Sequence, residues 1–154
     1  MRPLRLYLDT SVIGGCFDDE FKVASLKLMD ELRGGGSVGV ISDIVLQELV
    51  EAPPDVSALV TGSGDIRWEF VEEDYEAEEL AQRYLDAGVV SPRFRNDCRH
   101  VAVATVCEVD VLVSWNFRHI VRYDKIRMFN AVNLAQGYRT LEIRSPLEVV
   151  RYEE

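Results

Sequence analysis

Cysteine, long hydrophobic runs and positive charge are all scarce in this sequence of 154 residues. The three cysteines, Cys16, Cys98 and Cys107, are odd in number and lack the close spacing of a metal motif, so we expect reduced thiols in an intracellular protein. No apolar run approaches the roughly 20 residues of a membrane-spanning helix, and the predicted first strand begins as early as Leu4. These absences predict a cytoplasmic protein with no signal peptide and no membrane partner.

The shortage of positive charge is uneven along the chain. There are 17 Lys and Arg against 27 Asp and Glu, a net charge of −10, which argues against diffuse binding to nucleic acid. Residues 91–127 nevertheless contain seven Lys or Arg and only four Asp or Glu. This basic segment, residues 91–127, could hold a phosphate backbone locally, although solvated helix ends would give the same composition.

Short apolar segments alternate with amphipathic ones throughout the chain, of which 47% is hydrophobic. The segments with the length and composition of buried strands are residues 4–8, 38–41, 66–71, 111–113 and 141–143. The main segments with helical periodicity are residues 18–32, 44–51, 75–87, 97–108 and 125–136. Such alternation is typical of an α/β fold with a mainly parallel sheet that helices cover on both faces. Without a linker or an internal repeat, residues 1–154 are expected to form one domain.

Four side chains with oxygen ligands stand at positions where a parallel sheet forms its ligand crevice. Asp9 follows the first strand and Asn116 lies just beyond the strand at 111–113, while Asp97 begins the helix at 97–108. Glu48 lies within an apolar helix and needs a cationic partner if it is buried. In an open α/β sheet, ligands bind outside the carboxyl ends of the strands, so these four side chains could converge. Asp9 could equally serve only as a helix N-cap.

Three carboxylates crowded together repel one another, and a divalent cation is the natural resolution. Oxygen ligands of this kind suit Mg²⁺ or Mn²⁺. The reaction that such a site supports is phosphodiester hydrolysis, in which one metal activates water and a second stabilises the leaving oxygen. On this interpretation Asp9, Glu48, Asp97 and Asn116 are both the metal ligands and the catalytic residues.

Four motifs, YLDTSVIGG at 7–15, SDIVLQELV at 42–50, NDCRHVAVAT at 96–105 and LVSWNFRHI at 112–120, resemble those of the PIN-domain nucleases. Within that family the chain is similar to the VapC-type toxins of type II toxin–antitoxin systems, over nearly its whole length. The family's acidic residues fall on Asp9, Glu48 and Asp97, and its fourth, often Asp, falls on Asn116. The resemblance implies a PIN-like, Rossmann-like three-layer α/β/α sandwich, metal-dependent ribonuclease activity, a homodimer and an antitoxin partner.

Other polar residues of these motifs could contact an RNA substrate or support the ligands. Ser11 could orient a metal-bound water or cap a helix, and Arg99 could bind phosphate as part of the basic segment. Arg118 and His119 could reach phosphate, or belong to a solvated loop. His100 lies one turn from Asp97, where it could support that residue or be a hydrogen-bonded core histidine.

Three classes of function remain open at this stage. The first is a Mg²⁺- or Mn²⁺-dependent endoribonuclease. The second is a catalytically weak or inactive PIN-like module that binds RNA or a protein, which the neutral amide of Asn116 favours. The third, a hydrolase of small phosphate esters, fits least well, because the segment Asp9-Thr10-Ser11 lacks a second acidic residue close behind Asp9.

Overall fold

Five parallel strands form the central sheet of the protein in a computed structural model that describes residues 2–62 and 64–151. The strands are β1 (Leu4–Leu8), β2 (Ser37–Ser42), β3 (Glu69–Val71), β4 (Val111–Val113) and β5 (Glu142–Arg144). Their order across the sheet is β3-β2-β1-β4-β5, and every neighbouring pair is parallel. Parallel neighbours require a crossover connection, and helices provide it.

The helices are α1 (Thr10–Gly15), α2 (Lys22–Arg33), α3 (Asp43–Leu49), α4 (Pro54–Thr61), α5 (Tyr75–Asp86), α6 (Arg95–Val106), α7 (Tyr123–Ala135) and α8 (Pro146–Val149). A 3-10 turn at Pro92–Phe94 leads directly into α6. Among these described helices, none combines the length and the hydrophobicity that a membrane-spanning segment needs. Cys16, Cys98 and Cys107 carry free thiols, as expected.

Two hydrophobic cores lie on opposite faces of the sheet. Successive strand residues point to opposite faces, so Leu6 and Leu8 of β1 join the core under α1, α2, α4 and α8, whereas Tyr7 joins the core under α5, α6 and α7. Leu112 and Val113 of β4 divide between the two cores in the same way. The sheet is therefore covered on both sides, and the predicted three-layer α/β/α fold is confirmed.

Some element boundaries differ from the sequence prediction. The helix predicted from residue 18 begins at Lys22, because Asp18 instead accepts a hydrogen bond from the backbone N–H of Glu20 in a local turn, at 2.8 Å. The strand predicted at 66–71 pairs with β2 only over Glu69–Val71. Helix α1 was not predicted as an element, although Asp9 and Ser11 were expected to be able to cap a helix.

The strand order reverses at the centre of the sheet. From β1 the chain moves outward through β2 and β3, and it then returns to the other side of β1 as β4. In open α/β sheets this reversal leaves a crevice between the carboxyl ends of the two central strands. Asp9 directly follows β1, and Ser114-Trp115-Asn116 directly follows β4. The fold thus brings these two segments to the same end of adjacent strands.

Candidate functional site

Asp9 is a buried carboxylate, with 4% of its surface exposed, at the end of β1. As the N-cap of α1 it accepts a hydrogen bond from the backbone N–H of Val12, because the first turn of a helix leaves such groups unpaired. Ser11 Oγ donates to Asp9 Oδ1 at 2.6 Å, and Ser114 Oγ donates to Asp9 Oδ2 at 2.5 Å. Burial raises the pKa of Asp9 above its ordinary value, even though these hydrogen bonds and the charge of His100 act in the opposite direction.

Ser114 connects Asp9 to the loop after β4. Its Oγ accepts a hydrogen bond from the backbone N–H of Asn116 at 2.9 Å, and Ser11 Oγ accepts one from the backbone N–H of Trp115, also at 2.9 Å. The two serines therefore tie the end of β1 to the end of β4. Sequence analysis did not single out Ser114, although its place directly after a buried strand was a usable signal.

Asn116 uses its side-chain oxygen to shape its own loop. Oδ1 accepts the backbone N–H groups of Arg118 at 3.2 Å and of His119 at 2.9 Å. A carbonyl oxygen has two lone pairs, so these two donors occupy the atom through which an asparagine would bind a metal ion. The Asn116 side chain is close enough to Asp97 to lower the pKa of that carboxyl, but its ligand atom is already engaged.

Asp97 lies in the first turn of α6 and pairs with a histidine of the loop after β4. His119 Nδ1 is 3.0 Å from Asp97 Oδ2, and both side chains are largely removed from solvent. Burial raises the pKa of Asp97, while His119 lowers it by its charge and its hydrogen bond, and the net direction is upward. His119, expected to meet substrate phosphate, thus contacts a candidate metal ligand.

Glu48, on α3, pairs with a second histidine. Its Oε1 is 2.5 Å from Nε2 of His100, which is 3% exposed, and His100 Nδ1 is 2.8 Å from the hydroxyl of Tyr7. Burial raises the pKa of Glu48, but the hydrogen bond and the charge of His100 together lower it by more than burial raises it. The net shift of the pKa is therefore downward. Thr10 Oγ1, which is buried without a well-formed hydrogen bond in the described residues, also helps to lower it. The hydrogen-bonding partner of Glu48 is therefore His100, and the charge of Arg99 also lowers the pKa of Glu48.

His100 contacts Glu48 and acts electrostatically on all three carboxylates. Beside burial, which raises the pKa of each carboxyl, the charge of the His100 imidazole lowers the pKa of Asp9, Glu48 and Asp97 alike. We call these three residues the carboxylate cluster. Within residues 2–62 and 64–151, however, no three Asp, Glu, His or Cys side chains have the spacing of metal ligands. The histidines and serines hold the cluster in a hydrogen-bonded arrangement.

Arg99 and Arg118, both expected to bind substrate, have different surroundings. Arg99 makes a bidentate ion pair with Glu73, with its Nε 2.9 Å from Oε2 and its Nη2 2.8 Å from Oε1. Arg118 is exposed, and its guanidinium carbon lies 5.9 Å from the centre of the Phe94 ring. Arg118 is therefore available to a ligand, whereas Arg99 would have to leave Glu73 first.

No protein-family model matches the chain, and no curated protein matches it in sequence. Among solved structures, a chain of VapBC2 from Rickettsia felis, crystallised bound to a DNA fragment from their promoter, superposes with a TM-score of 0.57. The match covers 92% of this chain and 98% of that chain, at 14% sequence identity. At this identity the comparison establishes a shared fold.

Proposed function

We propose that this protein is a Mg²⁺- or Mn²⁺-dependent endoribonuclease of the VapC type, with Asp9, Glu48, Asp97 and Asn116 as its catalytic and metal-binding residues. The observation that carries the proposal is the carboxylate cluster itself. Three acidic side chains, from the end of β1, from α3 and from α6, all lie within electrostatic reach of one buried imidazole, at the strand ends where α/β folds bind ligands. A purely structural core has no need of three carboxylates in one place.

The donor chemistry fits a hard divalent cation. Every candidate ligand supplies carboxylate or amide oxygen, which Mg²⁺ and Mn²⁺ prefer. Burial raises the pKa of Asp9 and of Asp97, so additional positive charge at the cluster would favour their ionised forms. When bound there, a divalent ion would supply an activated water and charge on the leaving oxygen of a phosphodiester.

The chain's own residues hold and orient this site. Ser11 and Ser114 fix the two oxygens of Asp9, and His100, itself held by Tyr7, fixes Glu48. Such supporting hydrogen bonds set the direction of ligand oxygens. We propose that Arg118, which is exposed, binds a phosphate of the RNA substrate.

The partners that we propose are an RNA substrate, an antitoxin protein and a second copy of the chain in a homodimer. One solved structure of similar fold is a VapBC2 assembly, which supports a protein partner. We place the activity in the cytoplasm, where RNA substrates and reduced thiols occur.

The test is cleavage of varied single-stranded RNAs by purified protein freed of any partner. Cleavage should require Mg²⁺ or Mn²⁺, stop in EDTA, and be abolished by Asp9→Ala. Asp97→Asn should also remove it, whereas Asp124→Asn should not, because Asp124 is likewise in the first turn of a helix but half-exposed and paired with Arg122. Asn116→Asp should increase cleavage at low metal concentration, since it adds the missing charge.

The hydrogen bonds of Asn116 favour a second candidate, a catalytically weak module that binds RNA or a protein partner. Its side-chain oxygen already accepts two backbone N–H groups. If wild-type protein leaves all RNAs intact in both metals and Asn116→Asp does not restore cleavage, the endonuclease proposal is wrong and the binding module takes its place.

A further inference from the structure

Phe94 lies directly beside the carboxylate cluster. It ends the turn before α6, and its ring centre is 4.0 Å from that of His119, whose Nδ1 contacts Asp97. The guanidinium carbons of Arg93 and Arg118 lie 5.6 Å and 5.9 Å from the centre of the same ring. Phe94 is therefore connected through His119 to Asp97, a candidate catalytic residue, and two guanidinium groups lie near its ring.

The two arginines are free of carboxylates. Arg93 and Arg118 are exposed, and neither forms an ion pair with Asp or Glu in the part of the chain that the structure describes. Of the seven basic residues in the basic segment, Arg99 and Arg122 are the ones that do form such pairs there. Two unpaired guanidinium groups near one ring concentrate positive charge there, which attracts a phosphate group.

We propose that Phe94, Arg93 and Arg118 form a binding site for an unpaired nucleotide of the RNA. The base stacks on the Phe94 ring or on a guanidinium plane, and the phosphate contacts both arginines. Stacking of this kind requires a base that is free of its complementary strand, so the site selects single-stranded over duplex RNA. The inference deepens the proposed function and takes its substrate class from it.

The test is the binding of a fluorescently labelled, mixed-sequence single-stranded RNA, followed by anisotropy in EDTA so that cleavage plays no part. Phe94→Leu keeps an apolar side chain against the core but removes the aromatic face, and it should weaken binding about ten-fold. Phe94→Trp should restore or strengthen binding. A hairpin of the same composition should bind more weakly than the single strand.

The matched control is Tyr123→Leu. Tyr123 is also an exposed aromatic residue with an arginine over its ring, Arg127 at 5.6 Å, but it has no ring contact with His119. This variant should bind the single strand as wild type does. If Phe94→Leu fails to fold, the double variant Arg93→Ala/Arg118→Ala replaces it in the test, because both arginines are exposed. It should lose about as much RNA affinity as is expected for Phe94→Leu.

The outcomes separate this inference from the proposed activity. Wild-type binding by Phe94→Leu, equal loss in Tyr123→Leu, or no RNA binding by wild type overturns the stacking site. Cleavage of RNA together with unchanged binding by Phe94→Leu overturns the stacking site and leaves the nuclease intact. Loss of binding in Phe94→Leu without any cleavage by wild type supports the stacking site and removes the nuclease.

Discussion

Asp9 caps α1, which is one of the two roles that the sequence allowed, and its carboxylate also contacts Ser114 after β4. Its Oδ1 accepts the cap hydrogen bond of α1 and the hydroxyl of Ser11, while its Oδ2 accepts the hydroxyl of Ser114. A carboxylate has room for about four hydrogen bonds, so capping a helix does not prevent it from serving a site. Its burial nevertheless makes the ionised form unfavourable, so the ionised carboxylate lowers the stability of the fold.

Asp9→Asn should raise the melting temperature in EDTA by a few degrees near neutral pH. The folded-state pKa of Asp9 is raised by burial, so above that pKa the ionised carboxylate destabilises the fold relative to the unfolded chain. As the pH falls through the raised pKa, wild-type Asp9 takes up a proton and the difference between the two proteins should shrink. Scanning calorimetry at several pH values checks this, and a lower melting temperature for Asp9→Asn at every pH would contradict it.

Arg99→Ala should destabilise the fold by about 1–3 kcal/mol, because it leaves Glu73 without its bidentate partner. The side chain of Glu73 is only 8% exposed, so water replaces that partner poorly. Arg118→Ala, at an exposed position, should change stability by no more than about 0.5 kcal/mol. Urea unfolding measures both losses. The double variant with Glu73→Ala should lose less than the sum of the two single variants, and strict additivity would show that the pair does not couple.

At the scale of elements, α1 and α2 pack against the loop after β4 through Trp115. Its indole N–H donates to Ser25 Oγ at 2.8 Å, and its ring stacks on Phe21 with 4.3 Å between centres. A side chain at Gly15 would stand 2.6 Å from Ser25 Oγ and 2.8 Å from the Trp115 indole nitrogen. The absence of a side chain at Gly15 therefore allows α1 to approach the residue next to Asn116.

Gly15→Ala should cost about 1–3 kcal/mol, because the added methyl group has no space and must displace the indole. Gly14→Ala is the matched control, since nothing lies within 4 Å of a side chain at that position. It should be neutral or stabilise the helix by up to about 1 kcal/mol. Thermal unfolding of the two variants measures the difference, and equal effects would show that helix propensity alone matters here.

Helix α1 also shows why short elements are difficult to predict. It has six residues, two of them glycine, so neither its length nor its composition favours a helix. The cap from Asp9 and packing against α2 and β1 stabilise it. The third strand was predicted too long because its apolar pattern begins at Ile66, whereas hydrogen-bond pairing with β2 begins only at Glu69.

At the scale of the whole molecule, the net charge is −10, but the charged residues are unevenly distributed. Most of the basic residues outside the basic segment are held in ion pairs, such as Arg5 with Glu69 and Arg33 with Asp30. Five of the seven basic residues in the segment have no such pair among the described residues. Attraction for phosphate is therefore concentrated around Phe94 and α7.

Single-stranded RNA binding should consequently have a modest salt dependence. Two to four phosphate contacts, at about 0.7 per contact, predict a slope of roughly −1.4 to −2.8 for the logarithm of affinity against the logarithm of salt concentration. Arg118→Ala should flatten the slope by about 0.7, whereas Arg33→Ala on α2 should leave it unchanged. Anisotropy titrations over a salt series measure both, and equal slopes for all three proteins would contradict a local phosphate site.

The sequence by itself determined the alternation of strands and helices, the parallel three-layer fold, and the position of Asp9 and Asn116 directly after two core strands. These features depend on residue periodicity and helix capping, which act over a few residues. Only the tertiary structure decided which side chains meet. His100 pairs with Glu48 across 52 residues of sequence, Arg99 with Glu73 across 26, and His119 with Asp97 across 22. Such pairings depend on how whole elements pack, because a side chain's nearest charged neighbour in space is set by the crossing of helices over the sheet and leaves no local pattern in the sequence.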